Sequence, residues 1–400
     1  MEVQFVKAGP EDYDDVIDFG NYVFSHAHMS VDFPALLPKL YRPEYFMDSI
    51  HYLAREGNKI RALVGAYPLK LEFSDLPDLA LPGRGIGMVS VHPYCRSKGY
   101  MRELMNMALD DMRRDDIVFS CLGGQRQRYE YFGYSSAGSI YTFSCNQSNI
   151  RHTLGSSWST SLSLKPVENG DEILLDHIQA MHNAKPARMY RQRERLYDIL
   201  SSEYTRIFAV MEDEHFRGYF LCNKEESNIC KIIEINLQDL SKLPEVLGLF
   251  LQKDTGKQKS IHILAGPHEA DKAAILSKFT EDYTQQSAFM YAVFDYQRFI
   301  EPFLRLRERQ RTIADGSFTL QIENGPKLKV SAAKGVASVK EITESRAGDD
   351  PQTEFRLNSR EILHFLFSPL AAQTIPAIGN SVFLQSLLPL PLFFEKIDSI

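Results

Sequence analysis

A chain of 400 residues has room for two to three domains of ordinary size, which excludes a single small module. Apolar residues make up 44% and charged ones 24%, so disorder is not the default state. With 45 basic against 52 acidic side chains and a net charge of -7, a broad basic surface for nucleic acid is not expected.

The apolar stretches at 362–379 and 387–394 are broken by His364, Pro369, Gln373 and Pro376 or are too short to span a bilayer. The start, MEVQFVKAGPEDYDD, has no basic region followed by an apolar run, so a cytoplasmic location is expected. Cys95, Cys121, Cys145, Cys222 and Cys230 are odd in number, widely spaced and never in C-x-x-C form. They read as reduced packing residues.

Along the chain, 51–54 and 60–67 are strand-like around the turn Glu56-Gly57-Asn58, which reads as a hairpin. A Pro/Gly-rich loop is expected at 76–85, then a strand at 86–91, a helix from Tyr100 and a strand at 117–122. That β-α-β order implies parallel pairing of the last two strands. Met101, Leu104, Met105, Ala108, Leu109 and Met112 fall on one apolar helix face, which is expected to be core. A Ser/Thr-rich stretch at 151–165 suggests a linker or an exposed edge, with a domain boundary there. The pattern then repeats: a hairpin from 207–210 and 218–222, a strand at 231–236 and a helix at 243–251. The last third begins with a helix at 296–307, followed by strands near 318–322, 327–330 and 335–339. Asn358 with Glu361 three residues on predicts a helix start.

The stretch Val89-Ser90-Val91-His92-Pro93-Tyr94-Cys95-Arg96-Ser97-Lys98-Gly99-Tyr100-Met101 carries the chemistry. A strand runs into a short basic turn, and a helix starts at once. A helix N-terminus offers unpaired N–H groups and a partial positive charge, which suits a pyrophosphate. Arg96 and Lys98 add charge there, and Gly99 removes a side chain that would block close approach. The alternative is a solvated basic turn.

A second segment, Arg128-Tyr129-Glu130-Tyr131-Phe132-Gly133-Tyr134, follows the next strand. Together the two segments resemble the GNAT acyltransferase superfamily, which couples V-x-P-x-x-[QR]-x-x-G-x-[GA] to [FY]-Y-E-x-[FL]-G-[FY]. The first ends on Met101 where a small residue is usual. The whole-chain layout is similar to the enhanced intracellular survival (Eis) family of acetyltransferases.

That resemblance implies an α+β fold of two tandem GNAT folds followed by a unit similar to a sterol carrier protein. The expected boundaries are a catalytic domain at 1–150, a degenerate GNAT-like domain at 151–288 and the C-terminal domain at 289–400. The implied activity is transfer of an acetyl group from acetyl-CoA to a primary amine in a ternary complex. Val89 and Val91 would contact the pantetheine arm through their backbone, and Arg96, Ser97, Lys98, Gly99, Tyr100 and Met101 would hold the pyrophosphate. Tyr129 would be the general acid, with ordinary aromatic packing as its alternative. The terminal carboxylate of Ile400 would be the general base, with a frayed tail as its alternative. An acidic, roomy pocket compatible with aminoglycosides, polyamines, peptides or lysine is expected, in a homo-oligomer, by resemblance a hexamer. A non-catalytic lipid or small-molecule carrier built on the C-terminal unit is the competing reading.

Other signals carry less. The second half has no Arg-x-x-Gly and places Asp239 where phosphate would need positive charge, so that half is expected to scaffold. Gly83-x-Gly85-x-Gly87 precedes its strand and reads as a flexible lead-in turn, not a nucleotide loop. His26-Ala27-His28 lacks partner ligands at zinc spacing, so no metal is expected there. Arg188, Arg191, Arg193 and Arg195 read as a helix with a solvated or inter-subunit face.

Overall fold

The alternating apolar pattern of the first third folds as a sheet covered on both faces. In a computed structural model the described residues are 2–27, 30–224, 229–253, 260–342 and 354–400. The N-terminal part supplies β1 (Val3–Lys7), α1 (Tyr13–Ala27), α2 (Phe33–Leu36), α3 (Pro38–Tyr41), β2 (His51–Glu56), β3 (Lys59–Phe73) and β4 (Leu81–Val91). It continues with α4 (Tyr100–Arg114), β5 (Phe119–Leu122), α5 (Arg126–Tyr129) and β6 (Ser135–Ala137). The hairpin turns at Gly57, and β4 pairs in parallel with β5 across α4, both as the sequence predicts.

Alternation along β3 decides which face each residue serves. Ala62, Val64 and Ala66 pack with the apolar face of α4 (Leu104, Met105, Ala108, Leu109 and Met112), while Leu63 and Tyr67 face α1 through Val16 and Ile17.

The lead-in turn expected around the three glycines is a correction. β4 begins at Leu81, so Gly83, Gly85 and Gly87 are strand residues. A Cβ at Gly83 would strike the ring of Phe119, and one at Gly85 or Gly87 would strike the side chain of Ile400. Glycine stands there because other side chains occupy the space.

A second seven-stranded sheet contains β7 (Ile140–Asn146), β8 (Leu162–Pro166), β10 (Arg206–Glu212), β11 (His215–Lys224), β12 (Ile229–Leu237), β13 (Ser260–Ala265) and β14 (Asp282–Gln286). The β10–β11 hairpin and the parallel β12–β13 pair, joined through a helix at Leu243–Lys253, repeat the first unit's arrangement. Two short strands of this region return to the first sheet. β9 (Ala187–Met189) pairs with β3, and β15 (Phe289–Val293) sits between β5 and β6. β7, which precedes residue 150, thus belongs to the second sheet, and β15, which follows residue 288, belongs to the first.

The last part packs a helix, Tyr296–Gln310, against the four-stranded sheet of Gly316–Ile322, Lys327–Ala333, Val336–Glu341 and Glu354–Leu357. The expected helix start at Asn358 is present. Its carboxamide oxygen accepts from the amides of Arg360 and Glu361, and Glu361 reaches back to the Asn358 N–H.

The final segment, 388–398, threads between these units and is almost wholly buried. Phe394 stacks on Phe289 at 4.8 Å, and the Ser139 amide donates to Leu392 O at 3.2 Å. Its charged residues join a buried ion cluster. Arg191 donates to Asp398 at 2.7 and 2.9 Å and to Glu234 at 2.7 Å, and Lys185 bonds Glu234 at 2.6 Å and also Glu395. Tyr219 donates to Glu234 at 2.5 Å. Burial alone would raise the Glu234 pKa, yet Arg191 and Lys185 together hold it well below the usual range.

The expected solvated arginine helix is thereby corrected. Arg188 lies on β9 and bonds Glu72, Arg191 is 2% exposed, and Arg195 lies over the ring of Tyr45. Of the four, Arg193 bonds exposed carboxylates, Glu172 and Asp176. All five cysteines are free and buried, as expected. No helix among the described residues is long and apolar enough to cross a membrane.

Replacing Arg191 with Met leaves Asp398 and Glu234 buried without their guanidinium. Urea unfolding of the full chain should show a loss of about 3–5 kcal/mol; a loss below about 1 kcal/mol would mean the cluster does not hold the tail.

Candidate active site

The parallel pair β4–β5 is joined only through Gly83–Gly85 and Phe119–Cys121, and the strands part beyond that. On its other side β4 skips a step against β3. Ser90 faces Leu63 and Gly87 faces Gly65, so Met88 and Val89 lie opposite Val64 alone. This is a bulge, with Met88 at φ 50° and the Ser90 hydroxyl donating to Met88 O at 2.7 Å. Splaying and bulge together open a cleft at the end of the strand.

Helix α4 starts at the cleft. Gly99 caps it with φ 84°, a left-handed conformation that favours glycine, and no side chain caps the first-turn amides. A Cβ at Gly99 would meet nothing within 4 Å, so the glycine is explained by backbone angle and open access, not by packing. Lys98 lies 3.7 Å from Glu56 and over the Tyr100 ring, and Arg102 stacks on Tyr131 at 5.2 Å.

A cavity of about 1310 Å³ occupies this place, and all ten residues singled out from the sequence line it: Val89, Val91, Arg96, Ser97, Lys98, Gly99, Tyr100, Met101, Tyr129 and Ile400. Such a volume exceeds that of a drug-sized pocket, leaving room for a nucleotide thioester and a second molecule. Tyr129 ends α5, and burial raises its pKa, so its hydroxyl keeps its proton at neutral pH. Met101 is half-buried against the α4 core cluster while also lining the cavity.

Ile400 lies against Gly85 and Gly87. The buried Lys39 ammonium donates to Ile397 O at 2.6 Å and to Ser399 O, and burial pushes its pKa down to about 8. Lys39 and Arg191 thus hold the segment by its backbone and by its Asp398 side chain.

Sequence reasoning gives several lining residues no role. Arg102, and Arg128 at the head of the second segment, add cations to the lining, and Gly123 and Gly124 follow β5. Phe24, Phe33 and Tyr41 form the opposite wall, where the Tyr41 hydroxyl accepts from Tyr67 at 2.9 Å. Tyr67 in turn lies 3.0 Å from His51 Nε2. Their only sequence signal is aromatic density on short helices, which reads equally as core.

The expectation of an acidic pocket is corrected: among the described residues no Asp or Glu side chain lines the cavity. The His26-Ala27-His28 run begins on the last turn of α1. His26 is exposed, Ala27 lines the cavity, and His28 lies outside the described residues. No group of metal-ligating side chains occurs among the described residues.

In the second unit, the equivalent position after β12 is closed by its own acid. The Asp239 carboxylate accepts from the Ser241 amide at 2.9 Å and the Ser241 hydroxyl at 2.7 Å, leaving negative charge where the first unit has Arg96 and Lys98.

Residues 4–137, which hold the cleft, α4 and Tyr129, match the family described as acetyltransferase (GNAT) domain. The chain carries an acetyltransferase (GNAT) domain. No curated protein matches the chain significantly. Solved structures share the fold over the whole length. A conserved protein of unknown function from Enterococcus faecalis, described as a probable N-acyltransferase, is 16% identical with TM-score 0.68, each chain covered in full. A GCN5-related N-acetyltransferase from Anabaena variabilis gives 16% and 0.66, and Eis1 from Mycobacterium abscessus gives 11% and 0.63, again with both chains fully covered. At these identities the likeness concerns the fold: an α+β chain with mixed sheets whose first is a GNAT sheet.

Two outcomes follow for the GNAT cleft. Gly85→Val puts a side chain where Ile400 lies, so amide hydrogen exchange over 396–400 should quicken by about tenfold or more; unchanged exchange would mean the tail does not depend on that space. His51 is buried, and burial lowers its pKa to about 4. Its unfolded value is about 6.5, so the unfolded chain binds the extra proton first as pH falls. The His51 contribution is complete above pH 6.5 and is lost on descent through pH 4, by about 3 kcal/mol. His51→Gln should flatten that part of a urea-derived stability curve, and an unchanged slope would contradict it.

Proposed function

We propose that this chain is an acetyl-CoA-dependent N-acetyltransferase of the Eis type that acetylates a primary amine by direct attack in a ternary complex. The observation that carries the reading is the convergence of both sequence motifs on one cavity at the uncapped start of α4. In this reading the first-turn amides, with Arg96 and Lys98, hold the pyrophosphate, because unpaired N–H groups and the helix dipole favour an anion there. Ser97, Tyr100 and Met101 shape that turn. The β4 bulge, with Val89 and Val91 on the same strand end, directs backbone groups toward the pantetheine arm and the thioester carbonyl.

The amine nitrogen attacks the carbonyl carbon; the N–C bond forms and the C–S bond breaks, giving an amide and the CoA thiolate. We assign Tyr129 to deliver its proton to the departing sulfur. We assign the carboxylate of Ile400, a residue that lines the same cavity, to take the proton that the attacking nitrogen sheds.

We divide the chain accordingly into a catalytic unit (1–150) completed by β15, a degenerate GNAT-like scaffold (151–288) and a sterol-carrier-like unit (289–400). The Asp239 cap supports the scaffold role. A cytoplasmic hexamer is part of the same reading. The carrier alternative gains no support, since the domain match and the lined cleft both fall on the N-terminal unit.

Acetyl-CoA should raise the melting temperature of the wild type and of Tyr129→Phe alike. Released CoA thiol should fall by roughly a hundredfold or more in the variant. An unchanged rate removes Tyr129 from the mechanism, and absence of any acetyl-CoA stabilisation removes the enzyme reading.

A further inference from the structure

The cavity has two walls of unlike chemistry. One carries Arg96, Lys98, Arg102 and Arg128 beside the start of α4. The other is built from Val23 and Phe24 of α1, Phe33 of α2, Leu37, Tyr41 of α3, and Met88 at the bulge. The aromatic members lock one another edge to face: Phe24 on Phe33 at 5.0 Å, Phe33 on Tyr41 at 5.1 Å, and Tyr41 on Tyr67 at 5.7 Å.

The polar groups behind this wall are already engaged. Asn21 Oδ1 accepts from the Phe33 amide at 2.9 Å, and Ser25 Oγ accepts from the Val31 amide at 2.8 Å. These bonds tie α2 to α1, so the wall is fixed. Burial lowers the His51 pKa to about 4, so the His51–Tyr67–Tyr41 chain is uncharged at neutral pH. Among the described residues, no acidic side chain reaches the cavity from either wall.

Resting on the acetyltransferase reading above, we propose that the acceptor is a monoamine borne on an apolar or aromatic body, and that polycationic amines are poor acceptors. A second ammonium brought against this wall would lose its water without gaining a side-chain carboxylate, the terminal carboxylate being taken up by the attacking nitrogen. An apolar body, by contrast, gains from leaving water. The same surroundings disfavour the charged form of the one amine, which promotes the neutral nucleophile that the attack requires. The bonds made and broken are those already given, with one nitrogen and one acyl group.

The test is initial-rate release of CoA thiol from acetyl-CoA with propylamine, hexylamine, 2-phenylethylamine, spermine and kanamycin, alongside acetyl-CoA thermal shift. The expected result is kcat/KM rising by about fourfold per methylene from propylamine to hexylamine. Spermine and kanamycin should fall about tenfold or more below hexylamine. Ala27 lines the cavity from the exposed last turn of α1, so Ala27→Glu supplies a second carboxylate, on a side chain at a surface position. It should raise kcat/KM for spermine by about tenfold while acetyl-CoA still stabilises the protein.

Spermine or kanamycin outrunning hexylamine in the wild type would overturn the monoamine inference and leave the enzyme reading standing. Acetyl-CoA stabilisation without turnover of any amine would overturn the amine acceptor itself. Absence of stabilisation would overturn the cofactor assignment.

Discussion

The architecture depends on burying a charged tail among groups that neutralise it. Asp398 and Glu395 lie far inside the protein, and a carboxylate there is tolerable only with cations in contact. Arg191 and Lys185 supply them, and both also hold Glu234 on β12, so one cluster joins the tail to the second sheet. Lys39 of α3 adds the first unit by bonding the backbone of the same segment. Such an arrangement is weak evidence for net stability, since apolar residues of similar volume can do as well. It does fix where the segment lies, because each carboxylate has a partner at only one place.

That fixed course explains features of β4 that look like defects. A strand with glycine at 83, 85 and 87 is poor in side-chain packing of its own. The missing contacts are supplied from outside, by Phe119 beside Gly83 and by Ile400 across Gly85 and Gly87. The strand thus serves two neighbours: through its N-terminal half it pairs with β5 and receives the tail, and through its bulged C-terminal half it opens the cleft.

Local signals were legible in the sequence where local physics decided them. Helix α4 follows from an apolar stripe, the hairpin from Gly57, and the Asn358 start from a side chain that reaches three residues on. The loop side of the cleft was legible too, because a glycine, two cations and a helix start are contiguous in the chain. The glycine run misled because open space around a strand is not a property of that strand. Arg191 misled for a similar reason: amid other basic residues it looks solvated, and its partners lie 43 and 207 positions away. β15 fills a gap in a sheet whose other central strands end about 170 residues earlier, a pairing that no local pattern announces. The opposite wall left no motif, since apolar lining and apolar core share a composition.

The division of charge inside the cavity follows from how each wall is made. The cationic wall comes from a loop between a strand and a helix, where the backbone is exposed and charged side chains keep contact with water. The apolar wall comes mainly from α1 and the short helices α2 and α3, packed on the face of the sheet opposite α4, and their inner surfaces belong to the core that holds Val16, Leu53 and Leu63. A carboxylate placed among those inner positions would need a buried cation beside it; Lys39 of α3 is already engaged by Ile397 O and Ser399 O, and the His51–Tyr67–Tyr41 chain is uncharged. Apolar character on that side is therefore a consequence of building the wall from core.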